Sequence, residues 1–388
     1  LGSDVCSSDL TINGLNKINL MFENYIKDDN ELRSILNDLI RSMPHNVTTK
    51  MGIDMFNISN SINKNNFKEY AEFEKAFFEK KLPDEFYSRY YSFMKNYGFR
   101  GEGEFEIKRT RYYEDPTIIL NQVYNLMIGT NEENNIIKVF EEAEKKRPIA
   151  YNKLNEVAER NGFGKAFRKA YELMYNLLGY RESHKFYVIK VLTNIKKLVL
   201  SYAEKLKSQG YLSNIDEIYE LSIEDICDLI EGKVETSRNK ILSLIDKYAY
   251  EKDIFTHWQR FPIMIDSRGR ILEAKCKPLK PGEIGGQSVS YGIVKGKVKV
   301  MKNMNEKQFL PGEILVTQAT DPGWTPLIIN SAGIILEIGG MLQHGALVSR
   351  EFGKPCLVGV DNVMNLLKDG DYIELDAVEG VIRILNEK

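Results

Sequence analysis

His344 is the residue of this chain whose surroundings best suit covalent chemistry. The segment 345–352, GALVSREF, carries apolar residues at helical spacing, so a short helix is predicted to begin at the histidine or just after it. The free N–H groups and positive dipole end of a helix N-terminus stabilise anions, above all phosphate. A neutral imidazole there can act as a nucleophile, and the helix end can then hold the phosphoryl group. A packed or surface histidine is the alternative that the residue alone leaves open.

The elements on either side of His344 are predicted from glycine positions and apolar runs. Apolar residues dominate 334–338, which is typical of a buried strand, and CLVGV at 356–360 predicts the next strand. Gly339 and Gly340 are expected to permit a sharp turn, because glycine adopts backbone angles that other residues resist. Gly353 is predicted to end the helix as its C-cap. The histidine is therefore expected where a strand turns into a helix.

Three motifs in this region carry a resemblance to a known family. TDPGWTPL at 320–327, GGMLQHGALVSREFG at 339–353 and KPCLVGV directly after it together resemble the phosphohistidine, or swivelling, domain of enzymes that make or use phosphoenolpyruvate. The resemblance extends over 286–385 and is closest to the rifampicin phosphotransferase and phosphoenolpyruvate synthase-like group. It implies that His344 carries the phosphoryl group. Many members of the group have Ser, Thr or Cys before the histidine, where this chain has Gln343.

Six further residues are predicted to support the phosphate or to shape the loop beside it. They are Gly339, Gly340, Gly345, Arg350, Thr320 and Thr325. Arg350 is expected either to neutralise phosphate during docking or to form a surface ion pair. The two threonines have an alternative interpretation as parts of a turn anchored by tryptophan, with Pro326 at the first helical position. No metal site is predicted.

A glycine-rich loop of mixed charge interrupts the helical pattern at 97–116. Its candidate acceptor-site residues are Arg100, Glu104, Arg109 and Arg111. The arginines would balance the negative charge of a transferred phosphoryl group. The carboxyl group of Glu104 would orient one of the arginines, or act as the general base that removes the proton from the acceptor molecule. A solvated loop with exposed ion pairs, each worth under about 1 kcal/mol, is the alternative. This loop, PHNVTTKMGIDM at 44–55 and RESHKFY at 181–187 resemble the acceptor-binding helical domain of the rifampicin phosphotransferase-like group.

The overall composition excludes several classes of partner. With 43% hydrophobic and 28% charged residues among 388, the chain resembles an ordinary globular protein. Its net charge of −2 implies no general attraction to nucleic acid or to an anionic membrane. No apolar run approaches the ~20 residues of a membrane span. The four cysteines are scattered, which favours reduced thiols in a cytoplasmic protein over disulfides or a paired metal site.

The predicted fold class is multidomain, α plus α/β. Residues 1–10 lack an initiator methionine and the features of a signal peptide, and are interpreted as a non-native scar. Residues 11–276 are predicted to form a mostly helical, acceptor-binding-like domain. KPLKPGEIGG at 277–286, with two prolines and three glycines, is predicted to be a linker. Residues 287–388 are expected to form a compact swivelling β/β/α phosphohistidine domain.

The helical part contains one strong periodic pattern, at 186–210. Apolar residues recur there at three- and four-residue spacing and predict the buried face of a long helix. They are Val188, Val191, Leu192, Ile195, Leu198, Val199, Tyr202 and Leu206.

The sequence contains no P-loop and no segment that resembles the ATP-grasp domain which charges the histidine in this family. The chain is therefore predicted to be a fragment that binds no cofactor itself, with ATP and Mg²⁺ expected for the full-length enzyme. As the resemblance implies, an ATP-grasp domain, upstream in the same chain or separate, would charge His344. The swivelling domain would then deliver the group to a small-molecule acceptor or pyruvate. The alternative is a non-catalytic phosphocarrier or binding module that a partner protein phosphorylates.

Overall fold

The computed structural model of the chain describes residues 7–26, 29–129, 135–257, 268, 279–304, 306–340 and 343–385. The described residues form two compact units. The first comprises Leu1–Glu102, Arg111–Phe186 and Cys276–Lys388, and the second comprises Gly103–Thr110 and Tyr187–Lys275.

Helices dominate the chain up to residue 257. They are α1 (Ser7–Ile26), α2 (Asn30–Leu39), α3 (Val47–Ser59), α4 (Tyr70–Phe78), α5 (Asp84–Tyr97), α6 (Pro116–Gly129), α7 (Ile136–Arg160), α8 (Gly164–Leu177), α9 (Ser183–Ser208), α10 (Ile223–Ile230) and α11 (Arg238–His257), with 3₁₀ turns at Lys64–Asn66, Leu178–Glu182 and Ile215–Glu220. Several begin at side-chain caps that satisfy free N–H groups of the first turn. Asn46 caps α3 by accepting hydrogen bonds from the N–H groups of Thr48 and Thr49.

A mixed sheet follows, with short helices between its strands. Its elements are β1 (Glu283–Gly285), β2 (Gln287–Ser290), β3 (Ile293–Val300), β4 (Ile314–Thr317), a 3₁₀ turn (Pro322–Trp324), α12 (Thr325–Asn330), β5 (Gly333–Leu336), α13 (His344–Glu351), β6 (Cys356–Val358), α14 (Val363–Leu366), β7 (Tyr372–Asp376) and β8 (Val381–Ile384). The strand order is β1-β8-β7-β3-β4-β5-β6-β2. Strands β3 to β6 are parallel, and the pairs outside them are antiparallel. The predicted fold class, a helical part followed by a compact unit of strands and short helices, is confirmed.

The two faces of the sheet belong to different apolar cores. In β5, Ile334 and Leu336 point to one face and Ile335 to the other, as the period of two in a strand requires. The first face shares a continuous core with α3 and α6, to which Met55, Phe56 and others contribute. Helices α12 and α13 cover this face and contact the same core. The phosphohistidine-like region is therefore packed directly against the helical part, an arrangement called docked below.

The predicted domain bounds can be compared with these elements. Helix α1 begins at Ser7, inside the segment interpreted as a scar. Of the predicted linker, 277 and 278 lie outside the described residues, 279–282 are exposed, and Glu283–Gly285 pairs with β8 as a sheet strand. The compact units also follow other bounds than the predicted domains, because part of the helical region and the whole sheet share the first unit.

Helix α9 buries only part of the predicted face. Val199 and Leu206 are buried as predicted, whereas Val191 and Leu198 are 58% and 72% exposed. Ile189, Thr193 and Lys196, which lie outside the predicted set, are also buried. The Nζ of Lys196 donates a hydrogen bond to the carbonyl of Arg109 at 2.9 Å, which satisfies the buried ammonium.

Candidate functional site

His344 is the first residue of α13, as the glycine and apolar pattern predicted. The N–H of Gln343 donates to the carbonyl of Gly340 at 3.0 Å, which closes the turn before the helix. Gln343 is the N-cap residue, and its side chain makes no capping hydrogen bond. At the other end Gly353 has φ +65°, and its N–H donates to the carbonyl of Arg350 at 3.1 Å. This left-handed conformation ends the helix at the predicted residue.

The glycines around His344 are needed mainly for close packing. Gly339 and Gly340 do not adopt left-handed φ angles, so the expected reason for their presence is wrong. A Cβ at Gly339 would lie 2.9 Å from Cβ of Val358. A Cβ at Gly345 would lie 2.5 Å from Oγ1 of Thr320 and 2.6 Å from Cδ1 of Leu336. Because glycine has no side chain, Gly339 and Gly345 let the start of α13 lie against β6, β5 and the loop at 320.

The imidazole of His344 is buried in the docked arrangement, with 8% of the residue exposed. Its Nε2 atom has no hydrogen-bond partner within the part of the chain that the structure describes. Burial lowers the pKa of His344 well below its ordinary value of 6.5, and the positive charges of Lys185, Arg100 and Arg181 lower it further. The side chain is therefore neutral at pH 7. A neutral imidazole can act as a nucleophile through its unprotonated ring nitrogen.

Three cations of the helical part act on His344; they are called the cation group below. Arg100, just after the end of α5 at Tyr97, is 2% exposed, and its guanidinium lies 5.6 Å from the centre of the Phe186 ring. Arg181 forms an ion pair with Glu182 at 2.9 Å, and Lys185 lies in the first turn of α9. The positive charges that disfavour a proton on the imidazole would favour a phosphoryl group there, because that group is negatively charged.

Sequence reasoning missed two members of the cation group. Arg181 and Lys185 both lie in RESHKFY, which was used only as part of the resemblance. Their spacing of four residues places both side chains on one side of a helical turn, a signal that could have identified them.

The four predicted acceptor-site residues are divided between the two units. Arg100 and Arg111 belong to the first and are buried, and Arg100 is among the charges that act on His344. Glu104 and Arg109 belong to the second. Glu104 is buried, while Arg109 is 58% exposed and paired with Glu106 at 2.8 Å. The solvated-loop alternative therefore describes Arg109, and it does not describe the three buried residues.

The loop at 320–327 combines an internal framework with one unsatisfied hydroxyl. Asp321 accepts from the N–H of Gly323 at 2.9 Å, and Oγ1 of Thr325 donates to the carbonyl of Pro322 at 2.8 Å. Trp324 is 3% exposed, so the turn is anchored by tryptophan, as the structural alternative predicted. Oγ1 of Thr320 is buried beside Gly345 and has no hydrogen-bond partner among the described residues. That hydroxyl is the member of this loop placed to contact an anion at the start of α13.

Arg350 is buried, which contradicts the alternative of a surface ion pair. It is 5% exposed, and its Nε donates to the carbonyl of Val289. Burial lowers its pKa to about 10, so the guanidinium remains charged at neutral pH. Its Nη1 atom has no partner in the described ranges.

The described residues lack both a metal-binding cluster and a membrane-spanning helix. They contain no cluster of three or more His, Cys, Asp or Glu side chains able to hold a metal ion. Among the helices described, none is long and apolar enough to cross a bilayer.

Two family models match parts of this chain. Residues 8–182 match the family model of the rifampicin phosphotransferase fourth domain, and residues 309–380 match that of the PEP-utilising enzyme, mobile domain. The chain is related to the rifampicin phosphotransferases. Three similar curated proteins carry that name. The protein of Bacillus subtilis is 31% identical over 89% of this chain, that of Bacillus cereus 30% over 89%, and that of Streptomyces sviceus 28% over 90%. The chain spans 41% of the length of each of these relatives.

Proposed function

We propose that this chain is the acceptor-side part of a dikinase-type phosphotransferase, in which His344 carries a phosphoryl group to a small-molecule acceptor. The observation that carries the proposal is a buried histidine at the first position of a helix, whose Nε2 has no hydrogen-bond partner among the described residues. The positive charges of Lys185, Arg100 and Arg181 act on its imidazole and lower its pKa. Relatives named rifampicin phosphotransferase support the class of reaction. They also make rifampicin the first acceptor to test.

The transfer step follows from the groups around His344. An oxygen of the acceptor's hydroxyl attacks the phosphorus, a P–O bond forms, and the P–N bond to Nε2 breaks. With a proton on Nδ1, the ring leaves as neutral imidazole with the electron pair of that bond, and the hydroxyl proton passes to a general base. A low imidazole pKa favours this step, because a weaker base is a better leaving group. The same cations that lower the pKa stabilise the charge on the moving phosphoryl group.

The supporting residues act on the phosphoryl group at the start of α13. The N-terminal N–H groups of the helix and the Thr320 hydroxyl can donate hydrogen bonds to its oxygens. Gly345 permits this approach, since any Cβ would occupy the position beside Thr320.

ATP and Mg²⁺ are expected to act in a nucleotide-binding part outside this chain. The described residues provide no cluster of metal-binding side chains, and the sequence has no P-loop. No step in this chain is therefore assigned to the nucleotide or the metal. An ATP-grasp partner and a cytoplasmic location belong to the same proposal.

The proposal is tested by loading the histidine without ATP. The 388-residue chain is incubated with phosphoramidate, a small-molecule phosphoryl donor, and the modified residue is located by mass spectrometry. We expect an acid-labile, alkali-stable phosphoryl group on His344 that is absent from His344→Ala. Added rifampicin should discharge it and gain one phosphoryl group. Label on His45, His184 or His257 instead, or a loaded His344 that neither rifampicin nor pyruvate discharges, would count against the proposal.

A further inference from the structure

The C-terminal end of α13 is held as closely as its N-terminal end. Glu351 is 6% exposed, and its Oε2 atom accepts a hydrogen bond from the N–H of Ser42 at 2.7 Å. Ser42 lies in the turn at 40–46, between α2 and α3. The contact links the helix that carries His344 to the helical part of the same unit.

The turn at 40–46 is shaped to receive a carboxyl group. Ser42 has φ +51°, a left-handed conformation that non-glycine residues seldom adopt. Consecutive N–H groups in such a turn can converge on one acceptor, an arrangement known as a nest. Nη1 of Arg147 donates to the carbonyls of Arg41 and Ser42 and so supports the turn from behind. Nη2 of Arg41 donates to the backbone carbonyl of Glu351 at 3.3 Å.

Glu351 and His344 lie on the same side of their helix. They are seven positions apart in the sequence, which corresponds to about two turns, or roughly 10 Å along the axis. Fixing Glu351 therefore fixes both the rotation of α13 and the height of His344 opposite the cation group. An apolar contact alone would leave sliding and rotation less restricted, because it has no preferred direction.

We propose that Glu351 is a positioning residue, whose hydrogen bond with the N–H of Ser42 holds His344 in the docked, acceptor-facing position. The proposal rests on the proposed function in one respect, since it assigns the docked arrangement to the transfer step. The hydrogen bond itself does not depend on the reaction. Burial raises the pKa of Glu351 to about 7, so a neutral acceptor of the same shape should serve in its place. Glutamine at 351 is therefore the conservative replacement, and leucine keeps most of the volume without an acceptor.

The test measures the accessibility of His344 in the full 388-residue chain. Diethyl pyrocarbonate modifies exposed neutral imidazoles, and mass spectrometry gives the rate at each histidine. His184 is exposed and serves as the internal reference. The variants are Glu351→Leu, Glu351→Gln and Arg147→Ala. The matched control is Glu374→Ala, which removes a glutamate paired with Arg383 at 2.8 Å in the sheet.

We expect Glu351→Leu to raise the modification rate of His344 at least about tenfold relative to His184, because the buried N–H of Ser42 loses its acceptor. Arg147→Ala should also raise this rate. In Glu351→Gln and Glu374→Ala, the modification rate of His344 should stay within about twofold of the rate in the parent chain. In the rifampicin assay, Glu351→Leu should slow discharge of loaded His344 and Glu351→Gln should restore it. If the Leu variant fails to fold, Arg147→Ala decides the question.

Two failures can be told apart. Unchanged protection of His344 in both Glu351→Leu and Arg147→Ala overturns the positioning role, whatever happens to phosphoryl transfer. Normal protection with no transfer to any acceptor in the parent chain overturns the proposed function and leaves the positions of Glu351 and its partners in place.

Discussion

Gly52 offers a way to separate docking from chemistry. It lies in the middle of α3 and faces the phosphohistidine-like region. A Cβ at this position would lie 3.2 Å from Cγ2 of Thr325, 3.7 Å from Cζ of Phe352 and 3.8 Å from Cδ1 of Ile329. All three partners are buried, and they belong to α12 or to the end of α13. A side chain at position 52 would therefore push α3 away from these helices, and a larger side chain would push it further.

The size series has a predictable outcome. Alanine needs a shift of only a few tenths of an ångström, and replacing a mid-helix glycine gains up to about 1 kcal/mol of helix stability. Gly52→Ala should thus keep His344 protected and phosphoryl transfer within about threefold. Leucine adds three further carbons where no room exists, at an overpacking cost of about 1–3 kcal/mol. Since 1.4 kcal/mol is about a factor of ten in an equilibrium, Gly52→Leu should shift docking by about tenfold or more.

The assay combines three measurements on each variant: diethyl pyrocarbonate modification of His344, loading by phosphoramidate, and discharge to rifampicin. Gly52→Leu should raise modification and slow discharge, while loading proceeds at least as fast as in the parent chain. Lys50→Leu on the same helix is the control, because its side chain is 66% exposed. The reasoning is refuted if Gly52→Leu leaves His344 as protected as in the parent chain and discharges it at the parent rate.

Three further predictions concern charge. Lys185→Ala should slow discharge of loaded His344 by about 10²–10³, the usual cost of removing one electrostatic contact to developing charge, and a change under threefold would refute the role of the cation group. Arg100→Ala should slow discharge more than Arg109→Ala, because Arg100 acts on His344 whereas Arg109 is exposed and paired; equal rates would refute this ordering. In Glu351→Gln, docking should weaken as pH falls below 6.5. The undocked imidazole takes up a proton there, whereas the docked imidazole stays neutral because its pKa is lowered. In the parent chain, Glu351 opposes this trend. Its raised pKa contributes docking stability that is fully present below about pH 4.5 and is lost as pH rises through about 7. Docking of the parent chain should therefore depend less on pH than docking of Glu351→Gln.

Local elements could be predicted from the sequence where local chemistry decides them. The strand before Gly339, the start of α13 at His344 and its end at Gly353 follow from an apolar run and glycine positions. The capping of α10 by Ser222, which accepts from the N–H of Asp225 at 3.1 Å, is equally local. Such features depend on a few neighbouring residues, which a single sequence displays in full.

Long-range features could not be predicted in the same way. Arg181 and Lys185 acquire their role only because folding brings them to His344, more than 150 residues further along the chain. Lys196 breaks the apolar pattern of α9, and it is buried because a distant carbonyl, that of Arg109, accepts its hydrogen bond. The pair of Glu351 and Ser42 depends on a strained turn that no local motif announces. In each case a tertiary contact overrides the local preference.

The two ends of α13 suggest how docking could respond to the load on His344. The contact of Glu351 with Ser42 and the apolar core beneath α13 do not involve the imidazole of His344. The attraction of the cation group changes, because a neutral imidazole gains nothing from three cations whereas a phosphoryl group brings a charge of about −2. Loading should therefore strengthen docking, and discharge should weaken it again, so that the helix leaves after transfer. We expect loading by phosphoramidate to slow hydrogen exchange of the Ser42 amide, which reports on the far end of the helix. Lys185→Ala should remove most of this difference. Equal exchange rates in the loaded and unloaded parent chain would show that docking does not sense the phosphoryl group.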